Sequence, residues 1–359
     1  MVQSFIMLFV SMCAIASVSS VSSVSMVLHE DVAQFLNWTE KYDIFHNVDT
    51  PIIDLFNNWL SNHNYIKEIN DLKLSYTLGH NKYSGYNSTE FSSIMRFQQS
   101  RQNIVLDTTY GDNAERLYSK NMLDSIDWRD KGVVSEIRDQ GQCGSCWAFS
   151  GTSTLESAIA IKEGVLLDLS EQQSVSCATV RHGYSNMGCN GGMYDSMWKF
   201  VSDMGGLCLE QDYTYISGTS TQTGTCQELC DIVAGTKVSD YEVVTPYSDA
   251  AMMQALMESP VSIAIQADTR TFQLYNGGVY TDYSGCGGNE PELDHAVVLV
   301  GYGTTVGGED YYIMRNSWGT SWGDMDTKEN NGYMLMGRGE EYGSAGMCGL
   351  LSTPMYPIV

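Results

Sequence analysis

Gln140-Gly141-Gln142-Cys143-Gly144-Ser145-Cys146-Trp147-Ala148-Phe149-Ser150 places two thiols at the start of a run with helical periodicity. A helix N-terminus leaves backbone N–H groups without intrahelical partners and carries a positive partial charge, so a thiol placed there ionises more readily. Gln140, upstream of Cys146, adds a side-chain amide donor. That amide and the backbone N–H of Cys146 can together hold the oxyanion formed when sulfur attacks a carbonyl. The stretch therefore reads as a cysteine nucleophile with an oxyanion hole, although from these residues alone either thiol could be the reactive one.

The N-terminus narrows the choice. An apolar stretch at 5–16, too short to span a bilayer, runs into the small-residue stretch 17–25, and Ala14-Ile15-Ala16 has the spacing of a signal-cleavage site. No positive charge precedes the apolar core, but a cleaved secretory leader is the expectation. Its removal takes Cys13 with it and leaves Cys143, Cys146, Cys177, Cys189, Cys208, Cys226, Cys230, Cys286 and Cys348. The number is odd, so in an oxidising compartment one thiol stays unbridged, the state a nucleophile requires.

The chain has 359 residues, 43% of them hydrophobic, enough for a globular core and more than one unit. Its formal net charge is -24. Eight basic residues stand against twelve acidic ones up to residue 122, and eleven against thirty-one beyond it. Such acidity argues against nucleic acid or an anionic membrane as partner, and it suits either an acidic compartment or a soluble acidic surface.

Residues 26–122 hold no cysteine, two glycosylation sequons (at Asn37 and Asn87) and helix-like runs at 32–45 and 52–74. All the remaining cysteines follow residue 142, so a separate N-terminal unit precedes a disulfide-stapled domain. In that domain helical patterns come first. One covers 146–162 with Ala148, Leu155, Ala158 and Ile159 on one face and stops at Gly164; one starts at Ser170, where Gln173 is expected to complete a capping box; and one covers about 193–204. After a short helix at 248–258 the character changes to strands at 261–265, 296–302, 310–315 and 331–336. Two lobes are expected.

Two histidines lie in the disulfide-bearing region. His182 sits in a Gly/Ser/Asn-rich loop and reads as a solvated side chain. His295 opens the apolar run Ala296-Val-Val-Leu-Val300, so a strand fixes its backbone. Asn316, in Arg-Asn-Ser-Trp-Gly, can accept the imidazole N–H that does not face sulfur, setting tautomer and orientation without adding charge, and Trp318 can keep water off that bond.

These residues resemble the papain family of cysteine peptidases, and its cathepsin L-like branch most. Cys-Gly-Ser-Cys-Trp is followed by His295 and Asn316 at 149 and 170 residues beyond Cys146. Asp-Trp-Arg at 127–129, Gly-Cys-Asn-Gly-Gly at 188–192, Gly-Tyr-Gly at 301–303 and Asn-Ser-Trp-Gly at 316–319 extend the likeness over about 124–359. The resemblance implies an α+β fold with a helical left lobe, a β-barrel-like right lobe and a cleft between them. It implies a leader at 1–16, extending at most to about 25, a mainly helical inhibitory propeptide at 17–122 and a peptidase domain at 123–359. Cys146 would be the nucleophile, His295 the acid/base, Asn316 the orienter and Gln140 the oxyanion donor. Gly191 and Gly192 would bind an extended substrate backbone, while Met193, Tyr194, Ala264, Leu293 and Thr353 would line an apolar pocket for the residue two before the scissile bond. No histidine pair of the exopeptidase type is present, so an endopeptidase is expected.

By the same likeness Cys143 would pair with Cys189, Cys177 with Cys226 and Cys286 with Cys348. Cys208 and Cys230 are extra and are expected to form a fourth bridge, with exchange involving Cys226 left open. In the N-terminal unit Trp59, Asn62, Ile66 and Asn70, then Gly79, Asn81 and Tyr83, match the family's propeptide. Pro51 and Leu55 stand where Glu and Arg are usual, and Gly85 where Asp is usual. The charges that would respond to acid are thus missing from these positions, while inhibition of the cleft remains expected. Partners are then protein or peptide substrates, the chain's own propeptide and cystatin-like inhibitors. A monomer without cofactor or metal, in a lysosome, a vacuole or the medium, completes the expectation.

Two readings from other classes compete. Cys143-Gly-Ser-Cys146 also fits a thiol-disulfide oxidoreductase, but Gln140, Trp147, His295 and Asn316 then have no role. A papain-like binding protein without catalysis is disfavoured by four chemically competent residues. Zinc lacks a second Cys/His pair at ligand spacing. A calcium loop from Asp324 would need Gly and Glu where Glu329 and Leu335 stand, so 324–331 reads as a solvated insertion.

Overall fold

The computed structural model describes residues 21–46, 50–95, 123–227, 230–325 and 331–359. The expected leader at 1–16 and the boundary at 122 lie outside them. The N-terminal unit consists of helix α1 (Val21–Lys41), helix α2 (Ile52–Asp71), strand β1 (Tyr76–Leu78) and the short helix α3 (Ser88–Ser92). The run expected as helix to residue 45 breaks at Asp43, whose φ of 51° leaves the helical region, and resumes as a 3-10 turn at Ile44–His46. Phe35, Trp38, Ile44, Leu55, Phe56 and Trp59 bury a small core between α1 and α2. Two of the departures from the family pattern fit each other there. A Cβ on Gly85 would lie 2.4 Å from the Leu55 side chain, so the bare backbone at 85 makes room for the apolar residue at 55.

In the disulfide-bearing region short strand β2 (Ile126–Asp127) leads to helix α4 (Cys146–Glu163). The expected single apolar face is not what forms: α4 is buried on all sides from Cys146 to Ala160, because it lies between the other helices and the sheet. Its small residues permit this. A Cβ on Gly151 would lie 2.5 Å from Met197 Sδ, and Trp198 Nε1 donates to the Gly151 carbonyl at 3.0 Å. Helix α5 (Glu171–Cys177) is capped by Ser170, whose Oγ accepts from Gln173 N. The return half of the expected capping box does not form. Gln173 Oε1 accepts from Cys208 N and Ser170 N donates to Cys208 O, so a neighbouring strand of backbone takes both groups. Helix α6 (Tyr194–Met204) ends on Gly205 at φ 85°, and helix α7 (Ser217–Ser220) follows.

The second lobe comprises β3 (Asp240–Val243), helix α8 (Asp249–Glu258), β4 (Val261–Ile265), helix α9 (Arg270–Gln273), β5 (Tyr275–Tyr280), β6 (His295–Thr304), β7 (Asp310–Arg315), β8 (Tyr333–Gly337) and β9 (Met355–Ile358). Nine strands form one sheet in the order β1-β5-β8-β7-β6-β4-β9-β3, with β2 pairing β6. It is an open series that does not close into a barrel, and its first strand belongs to the N-terminal unit. There β1 runs antiparallel to β5, Tyr76 opposite Gly278. Gly278 has φ 81°, and a Cβ on it would lie 2.2 Å from Ser75 O, so this docking needs a glycine. Asp324, expected in a solvated insertion, is instead buried, with its amide on Tyr333 O; 326–330 lie outside the described residues.

Four disulfides join Cys143 to Cys189, Cys177 to Cys226, Cys208 to Cys230 and Cys286 to Cys348. Cys226 thus pairs with Cys177, and Cys208 with Cys230 forms the extra bridge. Cys146 is the described cysteine outside all four.

Candidate active site

The site forms where α4 and β6 begin. Ser150, one turn into α4, donates through Oγ to Val297 O at 2.9 Å, tying helix to strand. From that tie Cys146 lies four residues back along the helix, about 6 Å, and His295 two residues back along the strand, about 7 Å. Cys146 and Ala296 belong to one buried apolar cluster. The cap residue Ser145 makes no side-chain cap to the first turn of α4; its hydroxyl is engaged by Tyr215 Oη at 2.7 Å.

His295 is fully buried, and its Nε2 lies 2.8 Å from Asn316 Oδ1. An amide oxygen only accepts, so Nε2 carries the hydrogen and Nδ1 presents its lone pair. Asn316 Oδ1 also accepts from Ser317 N at 2.8 Å, which fixes the orientation of the amide. Trp318 stacks on the imidazole with 4.8 Å between ring centroids. Burial drives the His295 pKa down to about 4, and the bond to Asn316 pulls in the opposite direction. Upstream of the strand, the Asp294 carboxyl receives Ala267 N at 2.8 Å and Asp268 N at 3.2 Å, pinning the turn that presents His295.

Gln140 is held on four sides. Its amide N donates to Ser317 O, its carbonyl accepts from Tyr215 Oη, its Oε1 accepts from Ser317 Oγ at 2.6 Å, and its Nε2 donates to Cys143 O at 3.0 Å. The carbonyl of Cys143, which only accepts, thereby settles which end of the amide is nitrogen, and the second Nε2 hydrogen remains for an incoming group. The sites on α4, β6 and the turn after β7 therefore share one framework: Ser317 touches both Gln140 and Asn316.

Residues 122–358 match the model of the papain family cysteine proteases. The chain is 38% identical over 309 residues to cysteine proteinase RD21A of Arabidopsis thaliana, covering 84% of this chain and 61% of that protein. It is 34% identical to the senescence-specific cysteine protease SAG39 of Oryza sativa subsp. japonica, over 90% of this chain and 89% of that one. Its fold matches the solved proform of the ragweed pollen cysteine protease Amb a 11 with a TM-score of 0.75 at 30% identity, over 92% of this chain and 94% of that one. The chain belongs to the papain family of cysteine proteases. It is a papain-like cysteine endopeptidase with the two-lobed fold of that family.

In this papain-family fold several of the residues expected to bind substrate share one apolar cluster with Cys146. Met193, Tyr194 and Ala264 are buried in the cluster that holds Cys146, and Leu293 packs against it half-buried. Tyr194 Oη bonds to the carbonyl of Thr353 and to its Oγ1, so the phenol is satisfied and presents its ring. Gly191 and Gly192 follow the Cys189 staple; Gly191 has φ 108°, and a Cβ on Gly192 would lie 2.5 Å from Asn186 Oδ1. His182 is exposed and apart, its Nδ1 3.0 Å from Thr179 Oγ1. Among the described residues no group of three His, Cys, Asp or Glu could hold a metal, and no helix is long and apolar enough to cross a membrane. Asn37 and Asn87 are exposed, and Asn87 also caps α3 with both halves of a capping box to Glu90.

Sequence reasoning missed Ser317, Tyr215 and Arg315. Arg315, buried, reaches Ser153 on α4 and the backbone of Ser135 and Glu136. Ser317 stood inside the quoted Asn-Ser-Trp-Gly motif, but nothing in a linear motif says its hydroxyl meets Gln140. Also missed were three carboxyls of the helical lobe: Glu156 and Glu171, buried, and Glu210, half-buried. Burial pushes Glu156 up to about 7, although Leu169 N and the Ser135 hydroxyl donate to it. Burial raises Glu210 to about 7 as well, and burial with the nearby Glu156 and Glu210 raises Glu171.

Proposed function

We propose that the protein is made as a zymogen and cleaves peptide bonds through the Cys146 sulfur, with His295 as acid/base, Asn316 orienting the imidazole and Gln140 donating to the oxyanion. His295 Nδ1 takes the Cys146 thiol proton as the sulfur attacks the scissile carbonyl carbon, and the negative charge gathers on oxygen, facing Gln140 Nε2 and the N-terminus of α4. His295 gives a proton to the leaving amine as the C–N bond breaks, leaving a thioester. Water then attacks with His295 as base, and the acid product leaves with Cys146 regenerated. The observation that carries this reading is the shared framework of Ser317, which orients Gln140 and Asn316 around the start of the helix bearing Cys146, the described cysteine outside the four disulfides.

The apolar walls of Met193, Tyr194, Ala264 and Leu293, with Thr353 engaged by Tyr194, support a preference for Leu, Phe or Val two residues before the scissile bond. Residues 17–122 act as the propeptide and 123–359 as the enzyme, behind a leader at 1–16. Inhibition is supported by contacts at the cleft: Tyr83 and Phe91 set their ring edges on Trp318, and Gln142 Nε2 donates to Tyr86 Oη at 2.7 Å. Four disulfides support a route through the secretory pathway to a lysosome, a vacuole or the medium.

The test is to purify the full chain, incubate it at about pH 5 with reductant, and follow peptide hydrolysis beside Cys146→Ala. Equal rates end the proposal. Loss of activity in Cys143→Ala with retention in Cys146→Ala favours the redox reading. A substrate profile dominated by Arg at the second position before the cleaved bond overturns the pocket assignment.

A further inference from the structure

The N-terminal unit contains a feature that its inhibitory role does not use. His63 on α2 and His80 in the loop after β1 face each other with Nδ1 of the first 2.9 Å from Nε2 of the second. Both rings stack on Trp59, at centroid distances of 4.8 and 4.7 Å. The two outer nitrogens, His63 Nε2 and His80 Nδ1, are buried without a hydrogen-bond partner among the described residues. We propose that this stacked pair is an acid-operated latch: neutral, it holds the N-terminal unit on the catalytic domain, and on taking up protons it releases the unit. The proposal rests on the reading of this unit as an inhibitory propeptide.

The position of His80 connects the latch to the docking surface. Its carbonyl accepts from Tyr42 Oη at 2.8 Å, and the next carbonyl, of Asn81, accepts from Trp38 Nε1 at 2.8 Å, tying the loop to the α1 side of the unit. The residues on either side of His80 reach the catalytic domain: Gly79 N donates to Leu274 O at 2.8 Å and Asn81 Nδ2 to Gln273 O at 2.7 Å. Moving His80 therefore disturbs core and interface together.

The pair has room for one extra proton but not two. A single N–H lies between the rings, so one imidazole donates and the other accepts. From α1, Asp31 Oδ1 lies 3.7 Å from His63 Nε2, and Glu30 lies further along the same helix, so a first proton rests on His63 beside two carboxylates. From α1 and α2, Lys41 and Lys67 face His80 with positive charge. The loop carries Lys82, paired with Asp139, beside neutral Asn81 and Ser84, and the catalytic segment brings Arg270, whose guanidinium donates to Asn62 and Ser61 on α2 next to His63. A second proton would set two N–H groups against each other across 2.9 Å, with His80 Nδ1–H buried and unpartnered.

Desolvation, then His63, Lys41 and Lys67, hold the His80 pKa down to about 3, and desolvation also lowers that of His63. A unit that opens as it leaves, uncovering the rings from Trp59 and α1, would take up these protons near the ordinary histidine value of about 6.5. Because the docked form binds fewer protons, its stability is intact above that value and falls as pH drops below it, about tenfold per unit for each such group. By about pH 4.5 His80 alone weakens the docked state on the order of a hundredfold. Acid response has thus moved from the positions of Pro51, Leu55 and Gly85, where charges are missing, to two stacked imidazoles.

The experiment follows the full chain across pH 3.5 to 8, scoring self-processing, and in a Cys146→Ala background scoring release of the unit by its cleavage with added trypsin. His80→Phe keeps a ring on Trp59 but cannot be protonated. The expected result is latency at neutral pH with the half-point of release lowered by about one unit or more. Latency with an unchanged half-point overturns the latch. Should His80→Phe not stay latent, Asp31→Asn and Lys67→Gln serve instead. The first makes docked His63 harder to protonate and moves release to higher pH, the second does the reverse, and no shift in either overturns the proposal. Peptide hydrolysis by trypsin-processed enzyme is scored separately. Its absence sinks the peptidase reading, whereas normal hydrolysis with an unshifted release profile sinks the latch alone.

Discussion

The N-terminal unit and the helical lobe it accompanies bury titratable groups of opposite kind, and so respond to acid in opposite directions. In the unit His63 and His80 have lowered pKa values, so their contribution is present at neutral pH and is lost as pH falls. In the lobe Glu156, Glu171 and Glu210 have raised values, so their contribution is present in acid and is lost as pH climbs above about 4.5, through about 7 for Glu156 and Glu210. His295 opposes that slope within the catalytic domain, while Asp294, pushed up to about 8 by burial, adds to it. The same physical cause, desolvation, loosens the cover and tightens the enzyme. An acidic compartment would favour both changes at once.

The largest test separates this contrast from self-digestion. Cys146→Ala should lower peptide turnover at least about a thousandfold, with His295→Ala no worse in combination, since the two act as a unit. The opposite pH slopes should survive in that variant, as seen by unfolding of the unit and of the processed domain. Next, Glu156→Gln should flatten the lobe's slope. The shift of Glu156 corresponds to roughly 3 kcal/mol between acid and neutral pH, measured by urea unfolding of the processed enzyme at pH 5 and 8.

Two smaller changes sharpen the comparison from the side of the unit. Gly85→Ala pushes a methyl into Leu55 and should cost about 1–3 kcal/mol, so that release begins at higher pH. Asn87→Ala removes the α3 capping box at a cost of about 1 kcal/mol, read as a small loss of latency. Finally, the two buried imidazole sites should differ on release. Phe91 and Tyr83 leave Trp318, water regains His295, and its pKa should rise from about 4 toward the free value, which histidine NMR of the processed Cys146→Ala chain would detect.

Much of this was legible in the chain because it depends on local chemistry. Cys146 at a helix start, Gly205 ending α6 and the continuous apolar run of β6 each follow from a few adjacent residues. What escaped was non-local. Strand β5 contains Gly277-Gly278 and shows weak strand character, yet it pairs because β1 and β8 flank it. The capping partner expected for Ser170 was claimed by Cys208, and α4 proved buried on every side because helices and sheet both press on it. Asp324, read as solvated, is buried by a contact with β8.

The sequence by itself determined the parity of the thiols, the order of helical half before strand half and the family, because residue type and spacing carry them. Tertiary structure alone decided that Ser317 orients both Gln140 and Asn316, that Leu55 covers Gly85, and that His63 meets His80 on Trp59. Each of these joins residues far apart in the chain. Their energy comes from desolvation and hydrogen-bond geometry that exist only once the segments are packed together.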